Sequence, residues 1–394
     1  MQVPFAYFPD QQLLFIGSKS SLLINSHQEL VEFDLYLKEN EGDYIFSALG
    51  YDLKNRFENL SSKHKDVFNF PDVLSFVPNQ VIQLIEKNPI VLSGDKLIDE
   101  YTLTLVQKIL GNEQFQYPSF SLNPIIDKNT YVNQVEKVQS EIQYGNCYEL
   151  NFCQQYVAEQ VDEFDSFGVF LNLYKKTKSP FSVYFNFESW EVMCLSPERY
   201  LQRIGNKLVS QPIKGTIRRG RDSEEDTLLQ QKLRNDSKEK SENVMIVDLV
   251  RNDLSKIATK GSVKVDELFG VYQFETLHHM ISTISCEFKP GISFTDCLRA
   301  SFPMGSMTGA PKKKVMELIE KYETFKRGLY SGSIGYIMPS GDFDFNVVIR
   351  SLFYNNALKT VSCAVGSAIT IKADPEKEYD ECEVKVGNLI RNFQ

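Results

Sequence analysis

Strand-like runs follow one another along this chain without a helix between each pair. "PFSVYFNF" (180–187) and "WEVMCL" (190–195) are separated by two residues, and 327–354 reads as two strands joined by the turn Pro339-Ser340-Gly341-Asp342. Parallel neighbours need a crossover of a dozen or more residues, which such links cannot supply. Helical segments are interspersed irregularly. Val135, Val138 and Ile142 recur at helical spacing and stop at Gly145-Asn146, before the strand-like "CYELNF". Asp222 and Ser223 cap a long helical region reaching about Ile257 and broken near Asn235-Asp236. Asp374-Pro375 opens a last helix with Tyr379, Cys382, Val386, Leu389 and Phe393 on one face. The rhythm predicts an α+β fold.

Charge narrows what such a fold handles. The 394 residues carry a net charge of −9, the wrong sign for a nucleic-acid face. An acidic chain that takes an anionic substrate needs locally placed cations or a metal. Seven scattered cysteines without a CxxC pair predict neither a zinc knuckle nor a disulfide framework. With no basic-then-apolar leader and no run of 18 apolar residues, the expected location is cytoplasmic.

Several constellations carry chemistry. Glu239 and Glu242 are three apart on one helix, as are Glu378 and Glu381 on another, with Lys385 a turn beyond. Two such pairs suit Mg²⁺, which takes one or two carboxylates plus an anionic ligand; solvated helix faces are the plainer reading of the same spacing. "FPMGSMTGAPKKK" (302–314) is a small-residue loop leading into a helix, either an anion site or an ordinary connection, and it is not a Walker A motif. "CAVGSAI" (363–369) brings backbone amides near a ligand or forms a buried strand. His278-His279, in a chain with four histidines and no HxxxH, reads as packing rather than zinc binding. Arg350 sits in the apolar "NVVIRSL" and needs an anion, either an internal carboxylate or a substrate's. Lys214 stands in "QPIKGTIRRG", between a proline that fixes the chain and a glycine that frees it.

From about residue 130 onward, "GNCYELNFCQ", "SPERY", "PIKGT", "SENVMIVDLVRNDL", "HHMIST", "FPMGSMTGAPK", "GSIGY", "VIRS" and "EYDECEVKV" occur in an order that resembles the chorismate-utilising enzymes. The resemblance implies large antiparallel sheets enclosing the active site with helices outside. It also implies a catalytic core over 116–394, with residues 1–115 as an N-terminal subdomain adding to the sheets. The boundary falls near the Pro/Ser/Asn-rich 117–130.

Residue by residue, the resemblance implies that Glu242 and Glu381 hold Mg²⁺, supported by Glu239 and Glu378. Arg350, Lys385 and the amides around Gly366 would grip carboxylates, and Thr308 and His279 would line the ring pocket. Gly215, Thr216 and Tyr330 complete the substrate contacts. Members making anthranilate or isochorismate resemble "PIAGT" or "AIAGT" where this chain has Lys214. Lysine there resembles the branch that forms 4-amino-4-deoxychorismate: the amine attacks C2, the C4 hydroxyl leaves with a proton from Glu198, and ammonia then adds at C4. That chemistry requires a neutral amine, so burial or a nearby cation is expected to disfavour the ammonium. A glutamine amidotransferase subunit would supply ammonia, because no Gly-x-Cys-x-Gly elbow is present. The other readings are anthranilate or isochorismate formation and a non-catalytic chorismate-binding scaffold. Ser367 departs from the relatives' fuller glycine run. The N-terminal region lacks a clear tryptophan box, so feedback control by tryptophan is not expected.

Overall fold

The computed structural model describes residues 3–25, 30–111 and 113–390; Phe393 of the expected last-helix face lies outside them. Two antiparallel sheets, eleven-stranded and ten-stranded among the described residues, form the frame of the fold. The larger runs from Gly309–Ala310 through Glu149–Ala158, Thr360–Ile369, Ser351–Asn355, Trp190–Ser196 and Phe181–Phe187. It then continues through Phe5–Phe8, Leu13–Ile16 and Gln80–Ile85 to Asn88–Ser93. The smaller begins with Ile213–Arg218, Leu277–Glu287, Lys207–Gln211, Arg199–Ile204 and Phe343–Asn346. It ends with Ser333–Ile337, Ile45–Leu49, Val73–Val77 and Ser20–Ile24. Strands from the first 93 residues thus occupy the far end of both sheets, and the residues of interest the near end.

One continuous apolar core draws residues from both sheets, including Phe15, Phe46, Phe76, Phe185 and Phe353. Its aromatic rings meet edge-on or offset, as between Phe8 and Tyr336 at 4.9 Å, which suits their quadrupoles. A second core lies on the other face of the larger sheet, under the helices Lys128–Gln143, Ser166–Thr177, Lys312–Tyr322 and Pro375–Ile390. Helices are therefore outside, as expected. The helical region after Asp222 is two helices, Ser223–Asn235 and Ser237–Ser255. Asp236 ends the first and caps the second by accepting from the amides of Lys238 and Glu239. The 327–354 segment holds three strands rather than two, the third being Ser351–Asn355. All seven cysteines are buried and unbridged.

Candidate active site

A bulge aims Lys214. The ladder between Ile213–Arg218 and Leu277–Glu287 shifts register between Ile213 and Thr216, and Gly215 adopts φ +91°. Such an extra residue redirects a side chain out of the strand's regular alternation. Gly215 is also pressed against the Ser237–Ser255 helix, where a Cβ would come within 3.1 Å of Glu239 Oε2. Lys214 is accordingly turned into a cavity of about 560 Å³, the size of a small-molecule site.

That cavity brings the sequence-derived residues together. Glu198, Lys214, Gly215, Thr216, His279, Tyr330, Arg350, Gly366 and Lys385 line it, as do Glu239, Glu242, Glu378 and Glu381. Thr308 does not. Its side chain is fully buried and donates to the Met304 carbonyl at 3.0 Å, while its own carbonyl accepts from Asn151 N. Ser306 and Met307 of the same loop reach the cavity in its place.

Glu198 is buried, and burial pushes its carboxyl up to about 7 against the opposing pull of the Ser306 hydroxyl, the Ile213 amide and Lys214. It is therefore substantially protonated at neutral pH and able to donate. Burial alone would lower the Lys214 ammonium, but Glu149, Glu242 and Glu198 outweigh it and raise its pKa. Among the chain's own groups burial therefore does not disfavour the ammonium as expected, because the amine is surrounded by carboxylates and forms an ion pair with Glu149. His279 is held neutral, its pKa lowered to about 3 by burial and by the nearby Arg350 and His278 side chains, with Nδ1 2.9 Å from the Thr216 hydroxyl.

The cationic side is open to a ligand. Arg350 takes a left-handed φ of +53° and, among the described residues, makes no side-chain hydrogen bond or ion pair. A strained backbone holding an unpaired guanidinium is a feature of ligand sites. Lys385 is committed, donating to Gly366 O at 2.7 Å and pairing with Glu381 at 2.6 Å. Beyond Ser362 the strand Thr360–Ile369 loses its ladder to Ser351–Asn355, so residues 364–368 face the cavity along an edge no strand covers. Gly366 is required by close approach: a Cβ would meet Cys153 Sγ at 2.7 Å and Asn151 Oδ1 at 2.8 Å. The Ser367 hydroxyl donates to Glu378.

The two glutamate pairs face the same cavity from two helices. Among the described residues no three acidic, histidine or cysteine side chains form a closed metal-ligating group. Mg²⁺ ordinarily takes one or two carboxylates plus waters and an anionic ligand. Glu242 Oε1 is a buried oxygen without a hydrogen-bond partner, with Lys238 Nζ 3.8 Å away, and such an oxygen suits a hard cation. The residues present fit the ion.

Four cavity-side groups were not singled out from sequence: Ser306, Asn151 and Lys238, which line it, and Glu149, which lies behind Lys214. The signal existed for Glu149, since a charge in the apolar "CYELNF" needs a partner as Arg350 does.

A buried acid, an amine and a guanidinium without a side-chain partner among the described residues thus face one cavity, opposite four glutamates. The chain belongs to the chorismate-binding enzyme family, whose model, described as "chorismate binding enzyme", matches residues 7–391. It is 33% identical over 350 residues to aminodeoxychorismate synthase component 1 of Escherichia coli, covering 88% of this chain and 76% of that one. The fold is shared with anthranilate synthase component I of Streptococcus pneumoniae (TM-score 0.82, 23% identity, 97% of this chain and 92% of that one). It is also shared with MenF, the menaquinone-specific isochorismate synthase of Escherichia coli (TM-score 0.77, 16% identity, 100% and 88%). The protein is a chorismate-utilising enzyme of the anthranilate, aminodeoxychorismate and isochorismate synthase type.

Proposed function

We propose that this enzyme converts chorismate and ammonia to 4-amino-4-deoxychorismate. The observation carrying this reading is the Lys214 amine, aimed by a bulge into the same cavity as the buried acid Glu198. Lys214 attacks C2, Glu198 gives its proton to the departing C4 hydroxyl, and ammonia adds at C4 and displaces the lysine. Arg350 and the uncovered edge at Gly366 hold the substrate's carboxylates. Mg²⁺ would be held by Glu242 and Glu381, with Glu239 and Glu378 in support, and when bound supplies charge neutralisation beside a carboxylate. Neutral His279 and Thr216 shape the ring pocket without adding charge.

Ammonia comes from a glutamine amidotransferase subunit or from free ammonium. The test is product analysis with chorismate, Mg²⁺ and ammonium. 4-Amino-4-deoxychorismate without pyruvate supports the reading; anthranilate plus pyruvate, or isochorismate, replaces it with another member's reaction. Glutamine-dependent turnover by this chain alone would remove the partner.

A further inference from the structure

Glu149 opens the strand Glu149–Ala158 and is 1% exposed. One carboxylate oxygen accepts from Lys214 Nζ, while Oε2 is buried without a hydrogen-bond partner among the described residues. Its backbone is fixed by the ladder to Ala310, and its side chain is not part of the cavity wall. The carboxylate therefore meets the amine from behind. Three other carboxylates act on Lys214: Glu198, from the loop after Trp190–Ser196, and Glu239 and Glu242 of the Ser237–Ser255 helix. None of these is hydrogen-bonded to Nζ.

A buried ammonium paired in this way is no nucleophile. Its proton must leave as the amine attacks, and the cavity side of Nζ is where the substrate arrives. We propose that Glu149 is the base that takes the proton from Lys214 and returns it when the amine is expelled. This rests on the reading of Lys214 as the nucleophile.

The step balances. An N–H bond of the ammonium breaks, its electron pair stays on Nζ and the proton goes to a Glu149 oxygen. Nζ bonds to C2, the two ring double bonds each move one place, and the C4–O bond breaks as Glu198 protonates the oxygen to water. Nζ now carries a positive charge. Ammonia bonds to C4, the double bonds move back, and the C2–N bond breaks with its pair returning to Nζ. Lysine leaves as a neutral amine and recovers its proton from Glu149, while the new ammonium at C4 returns one to Glu198.

The test separates a base from a counter-ion, because the two make opposite predictions for Glu149→Gln. Loss of the carboxylate frees more neutral amine at a given pH, so a mere counter-ion variant should turn over as fast as wild type or faster. A base variant should slow by about 100-fold or more in kcat with ammonium as donor, with little change in the KM for chorismate. The state of the amine is read separately, as the pH dependence of Lys214 acetylation mapped by mass spectrometry without substrate. The expected result is labelling that begins at lower pH together with turnover that falls. Undiminished turnover would overturn the proposal.

Glu149→Asp keeps a shorter acceptor and is expected to exceed the Gln variant at least tenfold; equal rates of the two would also overturn it. Should the Gln variant not fold, the Asp variant decides alone: kcat reduced about tenfold at unchanged KM supports the base, and unchanged kcat excludes it. Wild type yielding no 4-amino-4-deoxychorismate, or Lys214→Ala retaining it, would instead sink the proposed reaction.

Discussion

The Ser306 hydroxyl donates to Glu198 Oε1 at 2.7 Å, joining two loops 108 residues apart in the chain. This bond favours the ionised carboxylate, whereas burial favours the acid, and burial wins.

A pH profile should show the balance. With a pKa raised to about 7, Glu198 is protonated below that pH and ionised above it. Donation to the C4 oxygen therefore fails as pH rises, and kcat/KM for chorismate should fall through about 7. Ser306→Ala removes a bond to the carboxylate form, so this limb should move to higher pH. A limb that stays in place would mean another group titrates there.

Lys214→Ala should reduce formation of 4-amino-4-deoxychorismate to the no-enzyme level. Chorismate binding, followed by calorimetry, should stay within a few-fold because the anion-holding groups are elsewhere in the cavity. Retained product formation would exclude the lysine as nucleophile.

Glu242→Gln removes a buried oxygen suited to a hard cation. The Mg²⁺ concentration for half-maximal activity should rise about tenfold or more, equivalent to about 1.4 kcal/mol, with chorismate affinity falling alongside it. An unchanged metal titration would take Glu242 out of the ion's direct ligands.

Gly366→Ala tests packing rather than chemistry. The added methyl must displace Cys153 or Asn151, both buried, at a cost of about 1–3 kcal/mol. Thermal unfolding should show a lower Tm; an unaltered Tm would mean the strand gives way without penalty.

Arg327 is fully enclosed. It pairs with Glu323 through two nitrogens and donates to the carbonyls of Met307 and Asn151, both cavity residues. Arg327→Ala leaves Glu323 buried and unpaired, so denaturant unfolding should report a loss of about 3–5 kcal/mol. A loss below about 1 kcal/mol would show that water replaces the guanidinium.

Legibility in the sequence followed the range of the physics involved. Local signals placed the Asp236 break, the Asp374-Pro375 start and the Pro339–Asp342 turn, because caps and turns are decided by neighbouring residues. The aim of Lys214 was half legible: Pro212 and Gly215 signalled a constrained backbone, whereas the bulge depends on pairing with 277–287. The charge environment was not legible. Glu149 lies 65 residues before Lys214, and only the fold brings them into contact, reversing the expected direction of the lysine's pKa. Thr308 and Ser306 illustrate the finer limit. They stand two residues apart in one loop, and which of them faces the cavity depends on a local turn that spacing does not encode.

The placement of the earliest strands has a consequence for biosynthesis. Ile45–Leu49 pairs with Ser333–Ile337, and its partner emerges from the ribosome close to 290 residues later. At ordinary elongation rates that is a wait of roughly 15 to 60 s, during which Ile45–Leu49 has only its early partner Val73–Val77 beside it in the sheet. The near end of the larger sheet, beside the cavity, is likewise completed by late segments, Thr360–Ile369 and the helix Pro375–Ile390. A nascent chain halted short of its last helix would carry every strand of both sheets yet lack Glu378, Glu381 and Lys385 of the cavity wall, so the catalytic pocket is among the last things synthesis completes.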